Sequence, residues 1–216
     1  MSLELHVKHL KVGQGAAQRI LLRDFSLICA PGQIITIMGQ SGCGKSSLLA
    51  ATAGLQIEGL QTELSLKLNG QRIDHLPTSQ RQIGLLFQDD LLFAHMSVRE
   101  NLLFACPNGP AIERAAQADA ALQELGFEQF ANSSPLTLSG GQRARVSLMR
   151  TLLAQPKALL LDEPFSKLDS ALREQFRLMV FSHARKLGLP TLLVTHDAAD
   201  VAKSAQVIQW EALQHA

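Results

Sequence analysis

Apolar runs of strand length alternate along the chain with longer segments whose apolar positions recur every three or four residues, which predicts an α/β fold with a mostly parallel sheet. Leu3–Val7 alternates as a half-buried strand does, and Asp24–Cys29 is a second run, ended by Pro31-Gly32. These two predict a small N-terminal antiparallel β part. Ile34–Met38 is continuously apolar and runs straight into glycines, so it reads as a central strand entering a loop. Gly44–Ala53 predicts a helix stopped at Gly54, Leu64–Leu68 a strand ended by Asn69-Gly70, and Ile83–Phe87 a further buried strand.

The stretch from about Asp89 to Leu138 has a different texture. Ser97-x-x-Glu100 is a capping box opening a short helix, broken by Pro107, Gly109 and Pro110. Ala111–Leu125, rich in Ala, Glu and Gln, predicts a second helix closed by Gly126. We read residues 89–138 as a helical subdomain inserted into one domain spanning 1–216, with its core at about 1–88 and 139–216. From Ser139 a helix runs to Ala154, Ala158–Leu161 is a buried strand, and Ser170–Leu187 is a helix with Leu172, Phe176, Val180 and Leu187 on one face. Leu192–Thr195 is the last predicted strand.

Composition narrows the partners. Charged residues are 18% of the 216, against about 25% in average domains, which suggests surface covered by another subunit. With 20 Lys and Arg against 19 Asp and Glu, the net charge of +1 provides no field for nucleic acid. No apolar run approaches the roughly 18 residues of a membrane helix. Met1–Leu10 lacks a signal-peptide core, and Cys29, Cys43 and Cys106 form no CxxC pair. A soluble cytosolic chain is expected.

The chemistry sits at three places. Gly39-Gln40-Ser41-Gly42-Cys43-Gly44-Lys45-Ser46, followed by Ser47, fits GxxxxGK[ST] between a predicted strand and a predicted helix. Its backbone N–H groups and the helix N-terminus suit an anion, Lys45 reaches β- and γ-phosphates, and the Ser46 hydroxyl ligates Mg²⁺. Asp162-Glu163 places two carboxylates where a buried strand emerges, the edge at which open α/β sheets bind ligands. There Asp162 can hold Mg²⁺ and Glu163 can act as general base; taken alone, the pair could equally cap a strand end. Leu138-Ser139-Gly140-Gly141-Gln142 makes a second capping box, but capping leaves two helix-opening glycines unexplained.

At these residues the sequence resembles the nucleotide-binding cassette of ABC transporters. GQSGCGKS (39–46) resembles Walker A, FQ (87–88) the Q-loop, LSGGQ (138–142) the signature, LLLDEP (159–164) Walker B, SKLD (166–169) the D-loop and VTHD (194–197) the H-loop, in family order. The resemblance implies a P-loop NTPase core and two cassettes meeting head to tail. ATP and Mg²⁺ would lie between the phosphate loop of one copy and Ser139, Gly140, Gly141 and Gln142 of the other. Gln88 would touch Mg²⁺ or the attacking water, His196 would hold the γ-phosphate beside Glu163, and Asp169 would brace the dimer. The helical stretch would dock on an integral-membrane permease at the cytoplasmic face of the inner membrane. Residues 76–101 are similar to bacterial importers of small solutes, which adds a periplasmic binding protein as partner. Only residues 198–216 follow Asp197, so a regulatory C-terminal domain is not expected. An export cassette, or one serving nucleic acid or ribosomes, is the alternative; no heptad tract or second cassette favours the latter.

The chain departs from the pattern in four places. Val12 occupies the region where relatives usually place an aromatic on adenine, and there is no Tyr at all. Base–aromatic stacking is worth on the order of 1–3 kcal/mol, so weaker or less adenine-selective binding is expected. Lys167 makes the D-loop SKLD rather than the commoner SALD; a phosphate or acid across the dimer and open solvent are both open to it. Ala205-Gln206-Val207 stands where relatives commonly have Ala-Asp-Arg. Cys43 lies within the phosphate loop, where a lysine and a helix N-terminus favour thiolate.

Overall fold

A computed structural model describes residues 1–202 and 205–213. In chain order it contains β1 (Leu3–Val12), β2 (Arg19–Cys29), β3 (Ile34–Met38), α1 (Lys45–Ala53), β4 (Leu60–Leu68), β5 (Gln71–Arg72) and β6 (Ile83–Leu86). There follow α2 (Val98–Ala105), α3 (Ala111–Leu125), α4 (Gly140–Leu153), β7 (Ala158–Asp162), α5 (Ser170–Lys186), β8 (Thr191–Thr195), β9 (Gln206–Gln209) and α6 (Trp210–Leu213). The α/β alternation predicted from the apolar pattern is present, with a parallel sheet and a separate antiparallel one.

The chain divides into two compact units. The first comprises Met1–Leu85, Lys157–Glu163 and Phe181–Ala216. Its antiparallel sheet runs β2-β1-β4-β5, and β1 pairs along its whole length with both β2 and β4. The five-stranded sheet has the order β6-β7-β8-β3-β9, with β3 parallel to β8 and β9, and β7 parallel to β8. Strands β7 and β8 are buried almost throughout, as a sheet covered on both faces requires. Helix α1 buries Leu48, Leu49, Ala50, Ala51 and Ala53, so it is apolar nearly all round and lies inside the core.

The far end of α1 is closed by Arg81. Its Nε donates to the Leu76 carbonyl at 3.0 Å, one terminal nitrogen to Thr52 O at 2.9 Å and the other to Asp74 O at 2.7 Å. A guanidinium at a helix C-terminus meets both the orphan carbonyls and the negative end of the dipole. The side chain is buried, and that burial lowers its pKa from the usual guanidinium range. Gly54 ends the helix at φ 82°, and a Cβ there would come within 2.5 Å of the Arg81 guanidinium carbon.

The second unit comprises Leu86–Pro156 and Pro164–Val180. Its core packs Val98 and Leu102 of α2, Ala118 and Leu122 of α3, and Val146 and Met149 of α4. Both capping boxes form: Glu100 N donates to Ser97 Oγ at 3.2 Å while Ser97 N donates to Glu100 Oε2 at 2.7 Å. At the start of α4, Gln142 N donates to Ser139 Oγ at 3.3 Å and Ser139 N to Gln142 Oε1 at 2.8 Å.

Three expectations are corrected. Strands β1 and β2 extend past their predicted limits, to Val12 and back to Arg19, because long pairing with a neighbour carries polar residues into the ladder. Leu187 lies beyond the last residue of α5 and is 46% exposed rather than on the buried face. Beyond Thr195, residues 206–209 form an edge strand whose largely exposed, Gln-flanked sequence gives little strand signal.

Candidate functional site

In the first unit, β3 ends at Met38 and the chain turns through Gly39–Gly44 into α1. Gly44, the residue before the helix, adopts φ 121°, a conformation that side chains resist. Lys45 is 97% buried by area, and its ammonium folds back on the loop, donating to Gly39 O at 2.7 Å and Gln40 O at 2.8 Å. The Cys43 sulfur lies 3.7 Å from the same nitrogen.

Strand β7 delivers the carboxylates. Ser46 Oγ donates to Asp162 Oδ1 at 2.8 Å, joining the first turn of α1 to the end of β7. Burial raises the Asp162 pKa and the Glu163 carboxylate adds to it, against the Ser46 hydrogen bond and the Lys45 charge. Glu163 sits at φ +44°, an unusual value for a residue with a side chain, while its N–H donates to Val194 O at 3.0 Å on β8. This turn aims Glu163 Oε2 at His196 Nδ1, 3.1 Å away. With Glu163 ionised, Nδ1 carries the hydrogen of that bond. The turn bearing His196 is itself fixed: Thr195 Oγ1 donates to Asp200 Oδ2 at 2.7 Å, and Asp197 N donates to Thr195 Oγ1 at 3.1 Å. Lys45, Ser46, Asp162, Glu163 and His196 thus gather at the carboxyl ends of three strands, and an open groove beside them is lined by Gly39, Gln40, Ser41, His196, Gln209 and Glu211. An anionic ligand would find here a lysine, a helix N-terminus and N–H groups, with a hydroxyl and a carboxylate oxygen adjoining.

The second unit holds the other predicted residues. Gln88 Nε2 donates to Ser166 Oγ at 3.4 Å, and Lys167 pairs with Asp89. Arg143 donates to Asp90 Oδ2 at 3.0 Å and to Leu138 O at 2.6 Å. A cavity of about 180 Å³ is lined by Phe87, Gln88, Asp90, Gly140, Arg143 and Lys167 among others. Gly140 and Gly141 are ordinary helical residues, and a Cβ on Gly140 would meet nothing nearer than 3.8 Å. Asp169 Oδ1 accepts from Leu172 N at 3.0 Å, serving the first turn of α5. Val12 is half-buried and packs on the core of the first unit.

Sequence reasoning missed the setting of the phosphate loop. Trp210, fully buried, lies against Gly39 and Gly44. Its one sequence signal is that it is the chain's single tryptophan. Among the described residues no group of three or more His, Cys, Asp or Glu side chains could hold a metal, and no helix is long and apolar enough to cross a membrane.

Comparison with known proteins agrees with this geometry. The family model for ABC transporters matches residues 22–166. The Escherichia coli K12 ABC transporter ATP-binding protein YnjD is 52% identical over 196 residues, which cover 88% of this chain and 89% of that protein. The sn-glycerol-3-phosphate import ATP-binding protein UgpC of Paracoccus denitrificans is 39% identical over 182 residues, or 83% of this chain and 51% of that protein. The spermidine/putrescine import ATP-binding protein PotA of Roseobacter denitrificans is 40% identical, over 82% of this chain and 48% of that one. The chain thus spans about half the length of these import proteins. Among solved structures, the dimeric post-hydrolysis state of the ATP-binding cassette MJ0796 bound to ADP and Pi superposes with a TM-score of 0.81 at 27% identity, covering 96% of this chain and 93% of that one. The chain belongs to the ABC transporter family, with the sequence and fold of its ATPase cassettes.

Proposed function

We propose that this cassette hydrolyses ATP to energise uptake of a small solute across the bacterial inner membrane, as a head-to-tail dimer on permease subunits served by a periplasmic binding protein. The observation that carries the catalytic part is the gathering of Lys45, Ser46, Asp162, Glu163 and His196 at one sheet edge. The import direction is supported by the likeness to UgpC and PotA and by residues 76–101.

In this reading, residues 39–47 wrap the phosphates with their N–H groups, and Lys45 exchanges its two loop carbonyls for β- and γ-phosphate oxygens. Ser46 and Asp162 would hold Mg²⁺; hydroxyl and carboxylate oxygens are the hard donors that ion takes. When bound, Mg²⁺ neutralises phosphate charge. Glu163 takes a proton from the attacking water, and His196, held by the Glu163 carboxylate, places its ring toward the γ-phosphate. Ser139, Gly140, Gly141 and Gln142 of a second copy close over the same nucleotide, with Asp169 at that interface.

Glu163→Gln tests the assignment. We expect turnover to fall by roughly 10²–10⁴-fold, the usual contribution of a general base. The variant should also run as an ATP-dependent dimer in size-exclusion chromatography. Normal turnover would remove Glu163 from the role of base.

A further inference from the structure

Both ends of the phosphate loop of this chain lie against one side chain, Trp210. Strands β3 and β9 are parallel neighbours, and Met38, the last residue of β3, pairs with Gln209, the last of β9. The chains therefore leave the sheet side by side, one as Gly39 and the other as Trp210. A Cβ on Gly39 would lie 2.6 Å from Trp210 Cβ, and a Cβ on Gly44 would lie 3.1 Å from the Cζ2 carbon of the indole. The first and the last glycine of the loop thus both lie against Trp210, Gly39 on its Cβ and Gly44 on its ring. Leu21 completes the contact at Gly44, with its Cδ1 2.9 Å from that Cβ position. Trp210 has no exposed surface, and its Nε1 has no hydrogen-bond partner among the described residues. The indole therefore contributes by shape and area, not by polarity.

We propose that Trp210 is a positioning residue for nucleotide binding: its indole is the floor that sets the curvature of residues 39–44, so that the loop N–H groups converge on phosphate. A loop of glycines has many conformations of similar energy, and only one points its donors at a common centre. Two contacts at opposite ends of the loop, one from the Cβ and one from the rigid ring of the same residue, select that conformation before the ligand arrives. Preorganisation of this kind lowers the ordering entropy of binding. Trp210 touches no phosphate, so its effect falls on affinity and leaves the chemical step alone.

The inference rests on the loop being the ATP site, and the test separates the two. MgATP affinity is measured by calorimetry on wild type, Lys45→Ala, Trp210→Leu and Trp210→Phe, with KM and kcat alongside. Trp210→Leu should raise Kd and KM about tenfold with kcat within threefold of wild type. Trp210→Phe, which restores a ring, should recover affinity to within threefold of wild type. A Kd for Trp210→Leu within threefold of wild type overturns the inference, whatever its melting temperature. If Lys45→Ala binds as wild type does, it is the assignment of the loop itself that fails. Should Trp210→Leu not fold, Trp210→Met takes its place: the same rise of about tenfold in Kd is expected, and a Kd within threefold of wild type overturns the proposal.

Discussion

The two glycine-bearing turns of this molecule are built on opposite principles. In residues 39–44 the glycines answer to the chain's own packing: Gly44 holds φ 121°, and Gly39 lies where a Cβ would strike Trp210. In residues 138–142 the chain's own fold asks for much less. Gly140 has helical geometry and a Cβ there would make only ordinary contacts, at 3.8 Å or more, while at Gly141 it would meet the side-chain ends of Leu172 at 3.1 Å and Leu168 at 3.4 Å. Glycine within a helical turn is disfavoured by roughly 0.5–1 kcal/mol relative to alanine. Gly140 thus lowers the stability of α4 with no return visible inside one copy of the chain. That is the expected mark of a surface against which something else closes, whereas the first loop bears the mark of a cradle already shaped.

The sharpest way to break this contrast is Gly44→Ala. Left-handed strain together with overpacking on Leu21 and the indole should destabilise the protein by roughly 2–5 kcal/mol in denaturant unfolding. ATP should recover little of it. A variant as stable as wild type would show that the first loop is less tightly shaped than its contacts imply. Next comes alkylation of Cys43. Its sulfur lies 3.3 Å from the Gly39 Cβ position and 3.7 Å from the Lys45 nitrogen, leaving no room for an adduct beside phosphate. Stoichiometric labelling should abolish ATP hydrolysis, and bound ATP should protect; full activity after labelling would refute this. Gly140→Ala should move stability least, leaving it unchanged or raised by up to about 1 kcal/mol. Turnover should nonetheless drop at least tenfold, because in the proposed dimer the methyl group would sit on the face that closes. Intact turnover would reduce that glycine to a helix-capping residue.

What the sequence made legible follows the same division. The phosphate loop, Asp162-Glu163 and His196 are local strings, and each stands at the end of a strand whose apolar run is unmistakable. The capping boxes at Ser97 and Ser139 were readable for the same reason, since donor and acceptor lie three residues apart. The floor under the loop was not. Trp210 reaches Gly39 only because β9 pairs with β3, and β9 is an exposed edge strand with glutamines at both ends. The Gln88–Ser166 contact joins residues 78 positions apart, beyond any local pattern. Glu163 could be named as a base from its neighbours, but its left-handed backbone, which aims it at His196, could not.

Arg81 belongs to none of the six motifs, yet it closes the far end of the helix whose near end begins at Lys45. Its loss would strand several buried carbonyls and free the C-terminal turn of α1. A gene in which this codon had decayed would retain all six motif strings intact. Inventories of genomes would count it among the working ATPases, although its product had lost the anchor of α1. For proteins of this kind, the distinction between a living gene and a relic therefore has to be sought partly outside the motifs.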